Sequence, residues 1–317
     1  MHFNFLQKKR SSITKASTQA NQCYRGRFAP SPSGFLHFGS LIAALASFLD
    51  AKSFTDTKGR QGKWLVRIED IDPPREQQGA SAQILKTLES YGLYWDEEVL
   101  YQSKQANYYN DILSDLAQNE LTYHCQCTRA QIKALGGIYQ GTCKSLDLSN
   151  QNKAIRLDNQ YGIHEFNDVI QGQIRTDSTV AKEDFILKRK DGLFAYQLAV
   201  VADELYQNIT HVIRGCDLLE PTVRQLSLFT TLKQPPPFYG HIPVASTTQG
   251  FKLSKQNKAA AINNNHPQPA LLAALHFLGQ QPDKNLINAT VDEIIASAIT
   301  HWQRDKIPKQ KEIIIGI

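Results

Sequence analysis

The sequence predicts an α/β fold built on a doubly wound parallel sheet. Two observations lead to this class. Between residues 25 and 119, short apolar segments alternate with amphipathic segments of helical period, and loops rich in Gly and Pro separate them. Within residues 121–193 the alternation stops, and three of the five cysteines lie there among short strand-like pieces, which indicates an insertion into the sheet domain.

The elements of the first half follow from apolar periodicity and from the turn residues between them. In chain order we predict a strand ending at 27–29, a loop at 30–34, a helix at 40–51, a strand at 63–70, and helices at 80–91 and 104–119. The helix at 80–91 shows the period well, because Ile84, Leu88 and Tyr91 share one face. Right-handed crossovers would join the parallel strands.

After the insertion the sheet resumes. The apolar segments 194–201 and 211–215 predict buried strands, and 221–232 predicts a helix with proline in its first turn. Helices are predicted beyond them, because 269–278 is rich in Ala and Leu. We therefore expect five parts: a disordered basic tail at 1–24, the first half of the main domain at 25–120, the insertion at 121–193, the second half at 194–246, and a loop with a helical C-terminal subdomain at 247–317.

The composition is that of an ordinary globular protein, with 41% hydrophobic and 21% charged residues. A net charge of +5 permits a nucleic-acid partner without requiring one. The longest apolar run, at 41–49, is too short to cross a bilayer, so we expect no membrane association. Five cysteines in a chain of this length exclude a disulfide scaffold and favour a metal site in a reducing cytoplasm.

The first 23 residues contain no Asp or Glu, and four Lys or Arg residues lie among them. A transit peptide has such a composition, and so does a disordered basic tail, which is the interpretation we favour. The segment lacks the apolar core of a secretory signal.

The loop between the first strand and the first helix carries the strongest functional signal. A doubly wound sheet binds phosphates at this position, where the amide groups and the positive end of the helix favour an anion. His37 would add a donor to a phosphate chain, and Gly39 would let the backbone approach a nucleotide closely. The alternative is a surface turn in front of a core helix.

A second signal is the segment Lys-Leu-Ser-Lys at 252–255. Its two lysines, Lys252 and Lys255, can fold over a triphosphate and oppose the negative charge that builds up during displacement. Taken alone this signal is weak, since lysine-rich loops are usually solvated surface.

Together the two segments resemble the H-x-G-x and K-x-S-K signatures of class I aminoacyl-tRNA synthetases. Segments 27–34, 67–72 and 212–215 resemble the glutamyl-tRNA synthetase group, and the resemblance covers roughly residues 25–260. It implies a Rossmann-type catalytic domain that uses ATP with Mg²⁺. The catalytic residues it implies are His37, Gly39, Lys252 and Lys255, and the ATP contacts it implies are His37, Gly39, Ser40 and Lys255. The residues that depart from those most frequent in the signatures are Phe38, Ser40 and Leu253.

A glutamate ligand agrees with the charges of the matched residues. A dicarboxylate with one ammonium group requires two cations and one anion in its pocket. Arg27 and Arg214 can each form a bidentate pair with a carboxylate, and Glu69 can bind the ammonium group. Tyr196 can supply a hydroxyl, and the resemblance adds the loop residues Phe28, Ala29, Pro30 and Ser31. For each of these residues alone, a structural ion pair or a core position is the alternative.

Cys125, Cys127 and Cys143 supply three thiolates, a good start on a tetrahedral zinc site. By chemistry alone His124 is a candidate for the fourth ligand. The spacing C-x-C-x11-Y-x3-C, however, resembles the zinc motif of the glutamyl-queuosine tRNA(Asp) synthetase family, which implies Tyr139 as that ligand. We expect one structural Zn²⁺; reduced, buried cysteines without a metal are the alternative.

Other features favour the same family. Segments 136–139 and 193–201 resemble it, and only about 60 residues follow the Lys-Leu-Ser-Lys segment, which leaves no room for a helical anticodon-binding region. The resemblance implies a cytoplasmic monomer that forms glutamyl-adenylate without tRNA and attaches glutamate to queuosine in the anticodon loop of tRNA(Asp). The alternatives are a shortened synthetase that charges the acceptor end of tRNA(Glu), a non-catalytic tRNA-binding paralogue, and another nucleotidyltransferase of the same fold.

Overall fold

The computed structural model describes residues 23–149, 152–253 and 260–315. The strands are β1 (Arg25–Phe28), β2 (Lys63–Ile68), β3 (Leu100–Tyr101), β4 (Thr122–Cys125), β5 (Ala154–Leu157), β6 (Glu165–Asp168), β7 (Gly172–Arg175), β8 (Ile186–Lys188), β9 (His211–Gly215), β10 (Phe238–Ile242), β11 (Val244–Thr248), β12 (Phe251–Lys252) and β13 (Glu312–Ile314). The α-helices are α1 (Phe38–Lys52), α2 (Ala80–Ser90), α3 (Ala106–Gln118), α4 (Arg129–Ala134), α5 (Ser178–Ala181), α6 (Tyr196–Tyr206), α7 (Thr222–Thr231), α8 (Gln268–Phe277) and α9 (Val291–His301).

The central layer consists of parallel strands in the order β3-β2-β1-β9-β10. Strand β2 pairs in parallel with β1 and β3, and β9 pairs in parallel with β10. The two groups meet where the amide of Thr210 donates to the carbonyl of Arg25 over 2.9 Å. The chain thus builds the layer outwards from β1 in both directions, which creates a switch point between β1 and β9. The predicted α/β class is confirmed.

Helix α1 lies between the central layer and helix α8, and therefore buries most of its circumference. Leu41, Leu45 and Leu49 are almost completely buried, and they belong to one core with Trp64 of β2 and Leu271 of α8. A helix that is apolar nearly all round is buried on both sides, which explains its run of Ala, Leu and Ile.

The predicted strand at 194–201 is wrong, because most of this segment belongs to helix α6. Every residue from Leu198 to Glu204 is buried. A helix that packs on all sides lacks the polar positions that reveal a period of 3.6, and the β-branched Val200 and Val201 add to the likeness with a strand. The predicted strand at 211–215 and the predicted helix at 221–232 are confirmed.

The insertion shares a core with the main domain. Strands β4, β5 and β8 form an antiparallel sheet, and β6 and β7 form a hairpin. Leu157 and Leu187 of the antiparallel sheet pack in one cluster with residues of α3, α6 and α7. The amide of Val169, at the tip of the hairpin, donates to Tyr239 of β10 over 2.8 Å. The hairpin therefore reaches the central layer.

Helices α8 and α9 lie where helices were expected, but residues 312–314 form a strand that pairs in parallel with β11. Leu271 and Ile294 belong to the same core as α1. A separate helical C-terminal subdomain is therefore not confirmed, and the division into five parts stays a prediction. In the described part of the chain, no helix combines the length and the apolar composition that a membrane crossing requires.

Candidate active site and metal centre

The loop after β1 lies at the carboxyl end of the parallel layer and is fastened to the segment after β2. The carbonyl of Pro30 accepts from the amide of Glu69 over 3.0 Å, and that of Pro32 accepts from the amide of Gln77 over 2.9 Å. The predicted loop residues are thereby held beside the predicted anion, Glu69. The fixed loop ends at His37, the N-cap of α1.

His37 and Ser40 form a reciprocal cap at the start of α1. The Nδ1 atom of His37 accepts from the amide of Ser40 over 3.3 Å, and the Ser40 hydroxyl accepts from the amide of His37 over 3.4 Å. Because Nδ1 accepts, the proton of a neutral imidazole lies on Nε2. A Cβ atom at Gly39 would stand 3.1 Å from the His37 ring, so glycine leaves room for the ring at this position.

The chain on both sides of residues 254–259 contacts this loop. A Cβ atom at Gly39 would stand 3.5 Å from the carbonyl of Leu253, and the amide of Ile262 donates to the carbonyl of Leu36 over 3.0 Å. Lys252 donates to Asp217, just beyond β9, over 2.7 Å. The predicted catalytic residue Lys255 lies outside the described residues.

Arg27 is held by an acidic residue that was not predicted from the sequence. Its Nε donates to Glu204 of α6 over 2.9 Å, and Arg67 donates to the same carboxylate oxygen over 2.9 Å. Burial disfavours ionisation of Glu204, but the charges of Arg27 and Arg67 hold its pKa below the usual value. Only Nε of Arg27 takes part, so within the described residues its two Nη groups have no hydrogen-bond partner.

A second buried carboxylate, that of Asp203, lies next to Glu204 in α6. Asp203 accepts from Gln102 over 2.7 Å and from the Tyr109 hydroxyl over 2.9 Å, and burial raises its pKa to about 6. Two adjacent acids inside an otherwise apolar segment were the signal that could have revealed Asp203 and Glu204, since such groups are rarely buried unless paired.

Glu69 lies near Arg67 and Arg27, whose charges act on its carboxyl group. Burial raises the pKa of its carboxyl to about 7, although the charges of Arg67 and Arg27 act in the opposite direction. A carboxylate that is costly to ionise in the ligand-free protein gains most from a bound cation. Glu69 is therefore suited to receive an ammonium group, and its role as a glutamate ligand stays a prediction.

Arg214 on β9 is surrounded by neutral acceptors. Its Nε donates to Nε2 of His241 over 3.0 Å, and Nη2 donates to the Thr222 hydroxyl over 2.7 Å and to Oε1 of Gln225 over 2.9 Å. Nη1 has a long contact, 3.5 Å, with the Tyr196 hydroxyl. The guanidinium is thus fixed on two sides and presents its third side towards Tyr196.

Tyr196, at the start of α6, is the hydroxyl-bearing residue of the predicted glutamate pocket. Burial raises the pKa of its hydroxyl, and the charges of Arg214, Glu69 and Arg27 all act on it. The structure therefore brings together two arginines, one carboxylate and one hydroxyl that are far apart in the sequence. Two buried cations with one anion complement a dicarboxylate that carries one ammonium group.

The three cysteines of the insertion converge. The Sγ atoms of Cys125, Cys127 and Cys143 all lie within 4.8 Å of one another, and those of Cys127 and Cys143 are 3.5 Å apart. Tetrahedral zinc with bonds of about 2.3 Å would place its sulfur ligands about 3.8 Å apart. The cluster could hold a metal ion of this kind.

Tyr139 lies against this cluster, whereas His124 does not belong to it. The Tyr139 hydroxyl accepts from the amide of Cys143 over 2.8 Å, and its ring packs under the guanidinium of Arg156 at 3.7 Å. His124 precedes Cys125 on β4, so its side chain projects from the opposite face of the strand. This geometry favours Tyr139 over His124 as a fourth ligand.

The cluster is linked to the pocket through one acidic residue. Glu183 accepts from the amide of Tyr139 over 3.2 Å and from Arg224 over 2.6 Å. Arg224 lies on α7 between Thr222 and Gln225, the residues that hold Arg214. The insertion thus braces the helix that orients a pocket arginine.

Comparisons with known proteins identify the family to which the chain belongs. Residues 24–313 match the family model of the class I tRNA synthetase catalytic domain for E and Q. A glutamate tRNA ligase from Elizabethkingia meningosepticum, solved in complex with its amino acid, shares the fold with a TM-score of 0.73. It is 24% identical, and the alignment covers 91% of this chain and 66% of that one.

Relatives of higher identity include several that are named glutamyl-Q tRNA(Asp) synthetase. The protein from Colwellia psychrerythraea is 66% identical over 92% of this chain and 94% of its own length. Those from Photobacterium profundum and Escherichia coli K12 are 53% and 50% identical, over 92% and 90% of this chain and 92% and 91% of their own lengths. The resemblance drawn from the sequence is confirmed, and the fold is that of a ligase. The chain belongs to the class I tRNA synthetase family, among the glutamyl-Q tRNA(Asp) synthetases.

Proposed function

We propose that the protein activates L-glutamate with ATP and transfers it to queuosine in the anticodon loop of tRNA(Asp). The observation that carries the amino-acid choice is the group of Arg27, Arg214 and Glu69 around Tyr196. The relatives carry the choice of acceptor, because they are named for it and match along almost their whole length.

In the first step, a carboxylate oxygen of glutamate attacks the α-phosphorus of ATP. The bond from that phosphorus to the bridging oxygen breaks, pyrophosphate leaves, and glutamyl-adenylate forms. The Nε2 proton of a neutral His37 and the first amides of α1 would stabilise the phosphates as negative charge shifts. Lys252 and Lys255 would neutralise the leaving pyrophosphate, and Mg²⁺ would enter with ATP.

In the second step, a hydroxyl of the queuosine ring attacks the activated carbonyl carbon. An ester bond forms, AMP leaves, and the hydroxyl proton passes to solvent or to the departing phosphate. Positioning supplies most of the rate in this scheme. No protein general base is required by it.

A Zn²⁺ ion held by Cys125, Cys127, Tyr139 and Cys143 would act structurally. Four protein ligands complete a tetrahedral shell and leave no position for a substrate. The insertion gains a cross-link that its small core does not supply. We also infer that the protein acts as a monomer in the cytoplasm, where ATP and its tRNA substrate are found.

The test is transfer of radiolabelled glutamate, with ATP, to purified tRNA(Asp) with and without queuosine, beside tRNA(Glu). We expect label only on queuosine-containing tRNA(Asp), and glutamate-dependent pyrophosphate exchange in the absence of any tRNA. Label on tRNA(Glu) would instead indicate an acceptor-end synthetase. Adenylate formation without label on RNA would indicate another nucleotidyltransferase, and no adenylate at all would indicate a binding paralogue.

A further inference from the structure

Arg214 is connected to a buried pair of titratable residues that the reaction scheme does not use. His241 of β10 accepts from Nε of Arg214 over 3.0 Å, and its Nδ1 lies 2.6 Å from Oδ2 of Asp168. Both side chains are completely buried. Burying such a pair costs desolvation free energy, so its position beside a pocket arginine needs an explanation.

The hydrogen bonds fix the protonation of this pair. The Nε of an arginine always carries a proton, so Nε2 of His241 can only accept. Its Nδ1 must then carry the ring proton and donate it to Asp168. Burial lowers the pKa of His241 and the charge of Arg214 lowers it further, against the bond to Asp168, which agrees with a neutral ring.

Asp168 is itself held in a single orientation. Its Oδ1 accepts from the amides of Ile170 and Gln171 over 2.9 and 2.8 Å, and from the amide of His241 over 3.1 Å. Only Oδ2 therefore faces the imidazole. Asp168 ends strand β6, so the insertion supplies the last member of this chain of contacts.

We propose that Asp168 and His241 are positioning residues, which fix Arg214 so that its Nη1 edge faces Tyr196 and the carboxylate of bound glutamate. The inference rests on the proposed function. An arginine side chain has several rotamers, and an acceptor at Nε selects one of them before the ligand arrives. His241 is not a catalytic base, because both ring nitrogens are engaged and no part of the ring is exposed.

Asp168→Asn is the sharpest test, because it changes the tautomer and almost nothing else. The Asn Oδ1 would keep the backbone amides, so its Nδ2 would donate to Nδ1 of His241. The imidazole proton would then move to Nε2 and oppose the N–H of Arg214. Partners that orient a binding group are typically worth about 10- to 100-fold. We expect the KM for glutamate in pyrophosphate exchange to rise by about that factor, while the KM for ATP stays within about threefold.

A pair of variants at His241 guards against misfolding of Asp168→Asn. His241→Gln retains an acceptor near the Nε2 position, and we expect a glutamate KM within about threefold of the parent. His241→Leu removes the acceptor, and we expect the same rise as in Asp168→Asn. Asp50→Asn is the control, because Asp50 is equally buried but contacts Tyr24, Trp302 and Arg304 instead. It should lower the melting temperature without changing the glutamate KM.

The outcomes separate this inference from the proposed function. An unchanged glutamate KM in folded Asp168→Asn, or equal values in His241→Gln and His241→Leu, would overturn the positioning role and leave glutamate activation intact. A KM rise that merely follows the loss in melting temperature, including in Asp50→Asn, would also overturn it. Absence of glutamate-dependent exchange in the parent chain would remove the proposed function, and this inference with it.

Discussion

At the scale of single residues, the carboxylate of Glu204 compensates the charges of two buried arginines. It is 2% exposed and accepts from both Arg27 and Arg67, which are 4% and 0% exposed. Removing one charge from such a group leaves its partners uncompensated, which costs about 3–5 kcal/mol. We therefore expect Glu204→Gln to lower the free energy of unfolding by that amount in urea denaturation.

Glu97 offers a matched comparison for this change. It also contacts two cations, Arg25 and Lys63, but its side chain is 39% exposed. Water screens such pairs, so Glu97→Gln should change the free energy of unfolding by less than about 1 kcal/mol. Equal effects of the two substitutions would contradict the importance of the buried group.

Glu69 should make the stability of the ligand-free protein depend on pH. Its pKa is raised to about 7 by burial, so the folded protein binds a proton that the unfolded chain releases near pH 4.5. Stability from this group is greatest below pH 4.5 and falls as the pH rises towards 7. Glu69→Gln removes the charge. It should raise the melting temperature at pH 8 more than at pH 5, as measured by differential scanning calorimetry.

Bound glutamate should oppose this pH dependence of stability in the parent protein. Its ammonium group would favour the ionised form of Glu69, so the parent should gain more stability from glutamate at pH 8 than at pH 5. A melting-temperature difference between parent and Glu69→Gln that is the same at both pH values would show that Glu69 does not titrate in this range.

The site could be predicted in part from the sequence. Arg27, Glu69, Tyr196 and Arg214 were identified within recognised motifs, and the fold brings them together. The buried polar residues around the two pocket arginines were missed, namely Arg67, Asp168, Asp203, Glu204, Thr222, Gln225 and His241. These side chains act through pairs that are distant along the chain, and nothing in the sequence marks which buried polar residues will meet.

At the scale of elements, the strand, loop and helix around the candidate phosphate site were predictable because turn residues mark their ends. Helix α6 was not, since the continuous buried apolar run from Leu198 to Ala202 shows no helical period. The final strand β13 was also missed, because three residues are too few for a pattern. The local sequence signal thus fails where tertiary contacts decide the conformation.

The cysteine cluster beside β4 should determine the metal content of the protein. The three thiols are close enough together to hold a metal and Tyr139 packs against them, while the core around this cluster is small. Cys143→Ser removes one ligand, and we expect metal content to fall from about one ion to well below half an ion per chain. Inductively coupled plasma mass spectrometry of the purified protein measures this directly.

Cys23→Ser is the control for the cysteine experiment. Cys23 precedes β1, and its Sγ contacts the carbonyl of Gln61 at 3.4 Å, far from the cluster in sequence. This variant should retain the metal content of the parent. Full metal content in Cys143→Ser would exclude Cys143 as a ligand.

At the scale of the whole molecule, the C-terminal region is tied to the first helix by a buried carboxylate. Asp50 of α1 accepts from Trp302 over 3.1 Å and from Arg304 over 2.7 and 2.8 Å, and it also contacts the Tyr24 hydroxyl. Trp302 and Arg304 lie 252 and 254 residues away from Asp50 along the chain. Helices α8 and α9 should therefore unfold together with the central layer.

Arg304→Met tests this cooperation. It leaves Asp50 buried with two neutral donors, which should destabilise the protein by about 3 kcal/mol or more. Because one core spans the central layer and both helices, we expect a single urea transition, with the same midpoint by Trp fluorescence and by far-UV circular dichroism. Both midpoints should shift together in Arg304→Met, and the double variant with Asp50→Asn should recover part of the loss. Separate transitions, or a shift in only one signal, would instead indicate that the C-terminal helices form a subdomain that folds on its own.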